Sequence, residues 1–341
     1  PHLLHSHHPY IIGDTALRLS ASDGVPLVFT YHTMYEHYTH YSPVAPDHLK
    51  DFIVELASGY ANLCDVVIAP SQSTADILRE RGVTTSIVVI PTGVDVDRFA
   101  GGDGKEIRDE RGIPPEAPVV GYVGRLATEK NLGFLSRALS TYLERDDTAH
   151  ALVVGDGGAR SEMEDTFAEN ELSERLHMTG ELTGQRVIDA YHAMDVFAFA
   201  SLTETQGMAL AEALAAGRPV VALEAPGARE ITRDGENGQL VPEQDIESFA
   251  DAVATWVEKT REDPEAVRRR CRDSVEEYRS ERCVKRALEL YGSLLEKERS
   301  SPSSSADGLE AMPEAIAREG KLWLNRLRAL ARAFVGETGD Q

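Results

Sequence analysis

Seven short apolar runs are spaced along this chain, and each is followed by a stretch with helical periodicity. The runs are Leu27–Tyr31, Val66–Ala69, Ile87–Ile90, Val119–Val123, Ala151–Val154, Val196–Ala200 and Val220–Leu223. Runs apolar on both faces need cover on both faces, and intervening amphipathic helices supply it when the strands lie parallel. The pattern predicts an α/β fold, and 341 residues are enough for two domains. No apolar stretch approaches the roughly 18 residues that span a bilayer, and no signal-peptide pattern is visible. Cys64, Cys271 and Cys283 are odd in number and lack metal-ligand spacing, so buried thiols in a reducing cytoplasm are expected. A net charge of −22 argues against nucleic acid as a partner. The acidic excess is otherwise a matter of solubility, and a high-salt habitat is one cause of such a balance.

The richest stretch is Ser201–Glu230, SLTETQGMALAEALAAGRPVVALEAPGARE. Ser201–Gln206 should leave the carboxyl end of a strand, and Met208–Ala216 should form a helix capped by Gly217 with Pro219 beyond. The free amides around Gly207–Ala209 would then make a site for anionic groups. Glu204 stands beside that site and Glu212 about two turns from it, so the two reach different parts of one ligand. A solvated N-terminal Glu plus a helix-face Glu fits the spacing equally well. Upstream, Val119–Lys130 (VVGYVGRLATEK) reads as a strand, a turn at Gly124, and then Arg125 and Lys130 ahead of a helix over Asn131–Tyr142. Two cations at such a turn suit a pyrophosphate, although Glu129 is placed to neutralise them in part.

In order, IPTGVDVDRF (Ile90–Phe99), GRL with the following EK, and E-x7-E with AAGRPVVA resemble glycosyltransferase family 4, retaining nucleotide-sugar transferases of GT-B fold. The resemblance runs from about Leu3 to Leu295 and is specific from Ile90 to Val241. It implies two Rossmann-like domains, with Gly124, Arg125 and Lys130 on the donor diphosphate and Glu212 on the ribose. It also implies that Glu204 and the backbone of Gly207, Met208, Ala209 and Leu210 meet the transferred sugar, and that Gly180, Glu181 and Leu182 line the base. A nucleoside-diphosphate hexose is the implied donor, a UDP-hexose ahead of a GDP-hexose. No Asp-x-Asp pair stands at a strand end, so no metal or other cofactor is called for.

The chain opens already entering a strand, and residues 1–93 resemble only the later part of the acceptor-side domain. A fragment without transfer activity of its own is therefore expected. Eight of the eleven histidines lie at or before His48. On a strand, His5 and His7 share a face and His8 points the other way. The family likeness gives His7 a place in the cleft between the domains, organising acceptor and transferred sugar, with His8 as the neighbour it could be confused with and His5 structural. A metal site at this pair lacks an accompanying carboxylate or Cys. In TYHTMYEHYTHY (Thr30–Tyr41), Tyr31, Tyr35, Tyr38 and Tyr41 recur at helix-like spacing. This reads either as a packing face or as an acceptor wall that includes His32, Tyr35, His37 and Tyr38. The segment resembles the corresponding one in bacterial diacylglycerol glucosyltransferases of the same family.

The donor domain and its closing helices are expected over residues 94–297, ending in a helix Glu281–Lys297 with Leu288, Leu290, Leu294 and Leu295 on its apolar side. Residues 298–320, which contain SSPSSSADG, read as a flexible linker. A basic amphipathic helix over residues 321–336 follows, with Trp323, Leu324, Leu327, Leu330, Ala331 and Phe334 on one face and Lys321, Arg326, Arg328 and Arg332 around the sides. That is the pattern of a helix on a membrane surface, the alternative being a helix docked on the protein's own acidic surface. The combined expectation is a retaining hexosyltransferase acting on a diacylglycerol-like lipid alcohol, peripheral at the inner face of the cell membrane. A soluble sugar or sugar-phosphate acceptor, and a non-catalytic nucleotide-sugar binder, are the alternatives.

Overall fold

The computed structural model describes residues 1–36, 46–300 and 311–335. The chain divides into two compact units, one of residues 1–91 with 283–341 and the other of residues 92–282.

The first unit is built on a parallel sheet of order β1-β2-β3-β4, with β1 Leu4–Ser6, β2 Leu27–Thr30, β3 Val66–Ala69 and β4 Ile87–Val89. Its helices are α1 Ile12–Asp23, α2 Pro46–Ala61 and α3 Gln72–Glu80. Leu27, Phe29 and Val67 project into one core with Tyr60 and Leu78. Val28 and Ile68, the alternate residues, project to the other face, as a period of two requires.

In the second unit come α4 Val96–Ala100, α5 Lys105–Arg111, β5 Val119–Val123, α6 Leu132–Arg145, β6 His150–Val154, α7 Arg160–Glu169, β7 Leu176–Met178 and α8 Gln185–Ala193. They are followed by β8 Val196–Phe199, α9 Met208–Ala215, β9 Val220–Leu223, α10 Pro226–Ile231, β10 Gly238–Val241, α11 Ile246–Glu262 and α12 Pro264–Ser274. The six strands are all parallel, in the order β10-β9-β8-β5-β6-β7. The chain thus builds outward from β5 through β6 and β7, then returns to the other side of β5 for β8, β9 and β10. Between β5 and β8 the winding reverses, and the crevice outside the carboxyl ends at such a switch point is where doubly wound sheets bind ligands.

Each of the seven apolar runs is a strand, within a residue at either end. The edge strands β7 and β10 carry His, Gly and Gln and are only partly buried, so they lack the continuous apolar signal of the centre.

The C-terminal helices differ from expectation. From Cys283 onward, α13 (Ser280–Ser300) groups with the first unit, where Leu290, Tyr291 and Leu294 pack on Val28, Ile68 and Ile90. Leu288 points outward instead. The next helix, α14 (Ala311–Val335), begins within the segment expected to be a linker and lies against α1 and α2. It buries Leu322, Asn325 and Ala329, not the Trp/Leu stripe. Gly59 on α2 explains the choice, since a Cβ there would collide with the Asn325 side chain, whose Nδ2 donates to Leu56 O at 3.1 Å. Arg326 pairs with Asp14, and Arg18 with Glu319 at 2.8 Å, which runs α14 antiparallel to α1. Trp323 (55 % exposed), Leu324, Leu327 (59 %) and Leu330 face outward. The side chains of Ala331, Arg332 and Phe334 lie outside the described residues. No described helix is long and apolar enough to cross a membrane.

Candidate functional site

The two loops that flank the switch point carry most of the residues singled out in the second unit. After β5, the turn Gly124–Ala127 leads into a short 3-10 turn, Thr128–Lys130, before α6. Tyr122, buried beneath it, donates its hydroxyl to Arg125 O at 3.2 Å and so holds the turn. Arg125 is half exposed and paired with Glu129, the neutralisation anticipated from their spacing of four. After β8, the loop Ala200–Gly207 brings Glu204 across to Lys130, with Nζ and Oε1 2.5 Å apart and both side chains about four-fifths buried. Lys130 thus bridges the loops that follow β5 and β8, and an ammonium with three donors keeps capacity for an anion.

Gly207 and Gly227 make this loop possible. Gly207 takes the left-handed conformation (φ 76°) that starts α9, and a side chain there would strike Leu210. A Cβ on Gly227 would come within 2.6 Å of Glu204 Cβ, so only glycine lets Glu204 pass this close to α10. Gln206, buried, clamps the loop by accepting from Thr92 N at 2.7 Å and donating to Thr92 O at 2.9 Å. In α9 the first backbone bonds are those of Leu210 and Ala211 to Gly207 O, so the amides of Met208 and Ala209 precede the helical ladder. The helix ends as its sequence predicts: Gly217 N bonds Leu214 O and Arg218 N bonds Ala213 O, a Schellman closure.

Glu212, on α9, is mostly buried and accepts the Tyr191 hydroxyl at 2.8 Å. Burial raises its carboxyl above the usual range, while the Tyr191 bond and the field of Arg98 oppose the rise. Glu204 and Glu212 therefore have different partners and different surroundings. At the far edge, Gly180 stands just past β7 and accepts from Gly155 N at 2.9 Å, with Glu181 following and Leu182 packed on the core. Tyr191 and Gly227 carry no local signal and reach the loops only through the fold, and Gln206, within its loop, meets Thr92 the same way.

In the first unit the carboxyl ends of β1 and β2 gather a second cluster. His7 Nδ1 lies 2.8 Å from His32 Nε2, and the two rings stack at 5.1 Å. His8 meets Tyr10 and Tyr35 edge-on. His5 shares its face with His7, as expected, but is held between Thr30 and Tyr291 at 2.7 and 2.6 Å. Burial, and then the neighbouring His7 and His32, lower its pKa to about 4. Among the described residues Tyr31 is not helical but buried, its hydroxyl accepting from Arg81 at 3.0 Å, and a 3-10 turn occupies Tyr35–Glu36; Tyr41 lies outside the described residues. Arg81, which also pairs with Glu36, gave no sign in the sequence. His37 and Tyr38 lie outside the described residues, and no group of three metal-ligating side chains occurs among those described.

Comparison with known proteins gives a consistent picture. Residues 103–274 match the family described as glycosyl transferases group 1, and residues 1–98 match glycosyltransferase family 4. The alpha-monoglucosyldiacylglycerol synthase of Streptococcus pneumoniae is 28 % identical over 243 residues, 70 % of this chain and 55 % of that protein. The GDP-mannose-dependent alpha-mannosyltransferase of Mycobacterium tuberculosis is 30 % identical over 278 residues, 79 % of this chain and 68 % of that protein. This chain thus spans little more than half of the streptococcal relative. Among solved structures, Anabaena HepE in complex with UDP and glucose superposes with a TM-score of 0.72 at 23 % identity, covering 86 % of this chain and 78 % of that one. At that identity the likeness shows the fold, GT-B.

Proposed function

The chain belongs to the group 1 glycosyl transferases, and on that premise we propose that it moves a hexose, with retention, from a nucleoside diphosphate to a lipid alcohol at a membrane surface. The Lys130–Glu204 pair at the switch point carries the donor half of this reading. A diphosphate seated there meets Lys130, Arg125 and the Met208–Ala209 amides, while Glu204 turns to the sugar and Glu212 to the ribose. As the bond from the anomeric carbon to the diphosphate oxygen breaks, its electron pair leaves with the diphosphate. Aimed cations stabilise that growing charge, the kind of contribution that can dominate catalysis. The acceptor hydroxyl then bonds the same face of the sugar and gives its proton to the departing diphosphate oxygen.

The lipid half rests on α14. Its outward apolar face is flanked by the exposed cations Lys321 and Arg328, and Ile11 and Ile12 at the start of α1 are exposed as well. Each basic residue near an anionic leaflet contributes roughly 1 kcal/mol, and the apolar face supplies the rest of a reversible attachment. The streptococcal relative, whose name specifies a glucosyldiacylglycerol product, points the same way. The mycobacterial relative supports a second reading in which the donor is GDP-mannose.

Transfer is tested with radiolabelled UDP-glucose and GDP-mannose on phosphatidylglycerol vesicles containing diacylglycerol, and on soluble sugar phosphates. Label in the lipid fraction supports the proposal, and label only in the soluble acceptors overturns its lipid half. Deleting α14 is a poor control because it would uncover the pocket of Leu322 and Ala329. Trp323→Ser with Leu327→Ser leaves that packing alone and should release the chain from the vesicles.

A further inference from the structure

A second basic site lies at the amino ends of the second unit's strands, away from the loops just described. A cavity of about 470 Å³ there is lined by Lys105, Arg108, His192, Arg218, Arg268 and Arg272. Arg218 stands two residues before β9, and Asp195, which holds Arg108 at 3.1 Å, stands one before β8. Because the strands are parallel, this end of the sheet is opposite Gly124, Lys130 and Glu204.

The charges do not balance as they do at the donor loops. Asp195 is committed to Arg108, and Glu265 to Arg268 at 2.8 Å on the surface. Asp103 and Asp109 also line the cavity. Yet among the described residues neither Arg218 nor Arg272 forms an ion pair, and the Nε of each is buried without a hydrogen-bond partner. Arg218 is only 5 % exposed. Arg272 reaches Ala100 O at 3.2 Å, and His192 contacts Phe99 O at 2.8 Å. Burial lowers the pKa of His192, the Phe99 contact opposes this, and Arg218, Arg272 and Arg268 lower it further. Burial likewise draws Arg218 down to about 10. Asp195 opposes that fall through its field but pairs with Arg108, and a buried guanidinium with no direct ion pair is costly, its fork suiting an oxyanion. Such a concentration of cations is conspicuous in a chain of net charge −22.

We propose that this cavity binds the phosphate group of a small phosphorylated molecule, through Arg218 and Arg272 with His192 beside them. The volume falls within the roughly 300–1,000 Å³ of small-molecule sites. Phosphate chemistry reaches the cavity either as the free ion or on an organic phosphomonoester.

Thermal melts of the whole chain at constant ionic strength, titrated with inorganic phosphate and with glucose 6-phosphate, test this. Both should raise the melting temperature saturably. Tighter binding of glucose 6-phosphate identifies an organic ligand, and equal binding identifies the free ion. Lys130→Ala should keep the shift, which separates this cavity from the donor loops. Arg218→Met should weaken binding about tenfold or more, the loss expected for one charge-assisted bond. It should also raise the melting temperature without ligand, because it removes an unpaired buried charge. If that variant fails to fold, Arg272→Gln should weaken binding likewise, and the His192 resonance of the unaltered protein should move on adding phosphate. No saturable shift, a shift lost in Lys130→Ala, or an unmoved His192 resonance would overturn the proposal.

Discussion

Replacing Tyr191 by Phe removes one hydroxyl and leaves a fully buried ring in place. That hydroxyl donates to Glu212 at 2.8 Å and is the larger of the two influences opposing the upward pull of burial on its carboxyl. A hydrogen bond to a charged group contributes about 1.5–3 kcal/mol, equivalent to roughly 10- to 150-fold in an equilibrium constant. In Tyr191→Phe the carboxyl pKa should rise further, and Glu212 should lose its fixed orientation toward the ribose. Nucleotide affinity, which on this reading needs the ionised carboxylate, falls as pH drops through the folded carboxyl value. In the variant that fall should come at higher pH than in the unaltered chain. Calorimetric titration with UDP and GDP across pH 5.5–8.5 measures this. Superimposable pH profiles for the two proteins would refute the role given to Tyr191.

Glu212→Gln should weaken nucleoside diphosphate binding, whereas Glu204→Gln should spare it and reduce sugar transfer; equal losses of nucleotide affinity would end that division. Gln206→Ala leaves both backbone groups of Thr92 without their protein partner, and since Thr92 is itself exposed to water the cost should be about 1–2 kcal/mol in chemical denaturation. His5 titrates near 4 folded, below its ordinary 6.5, so the unfolded chain binds the extra proton between those values. The first unit should therefore be most stable above about pH 6.5 and lose stability as pH falls toward 4. The full shift would correspond to about 3 kcal/mol, and solvent screening of a partly exposed ring reduces that. A flat stability profile over this range would contradict it.

The central strands were legible because burial on both faces writes a continuous apolar run, as at Val119–Val123 and Val196–Phe199. The edge strands Leu176–Met178 and Gly238–Val241 carry His, Gly and Gln and gave no such signal, whereas the edge strand Ile87–Val89, also part-buried, is apolar throughout and did. Arg125, Lys130 and Glu204 could be singled out as candidates because they stand at turns where a strand meets a helix. Tyr191 and Gln206 could not, since each acts on a residue at least twenty positions away. In α14 the largest apolar residues read as a membrane face, with docking on the protein as the alternative; contact with Gly59 docks the small and polar stripe and leaves the large apolar residues outward. Arg218 stands between the capping Gly217 and Pro219, where nothing local marks it as buried; the fold alone buries it.

Calorimetric titration of UDP and of GDP into the chain and into Lys130→Ala tests the switch-point site most directly. One nucleotide should bind the unaltered chain with 1:1 stoichiometry, and Lys130→Ala, measured at a temperature where it remains folded, should weaken it about tenfold or more. Binding of neither nucleotide, or equal affinity in both proteins, would contradict a donor site built on Lys130 and Glu204.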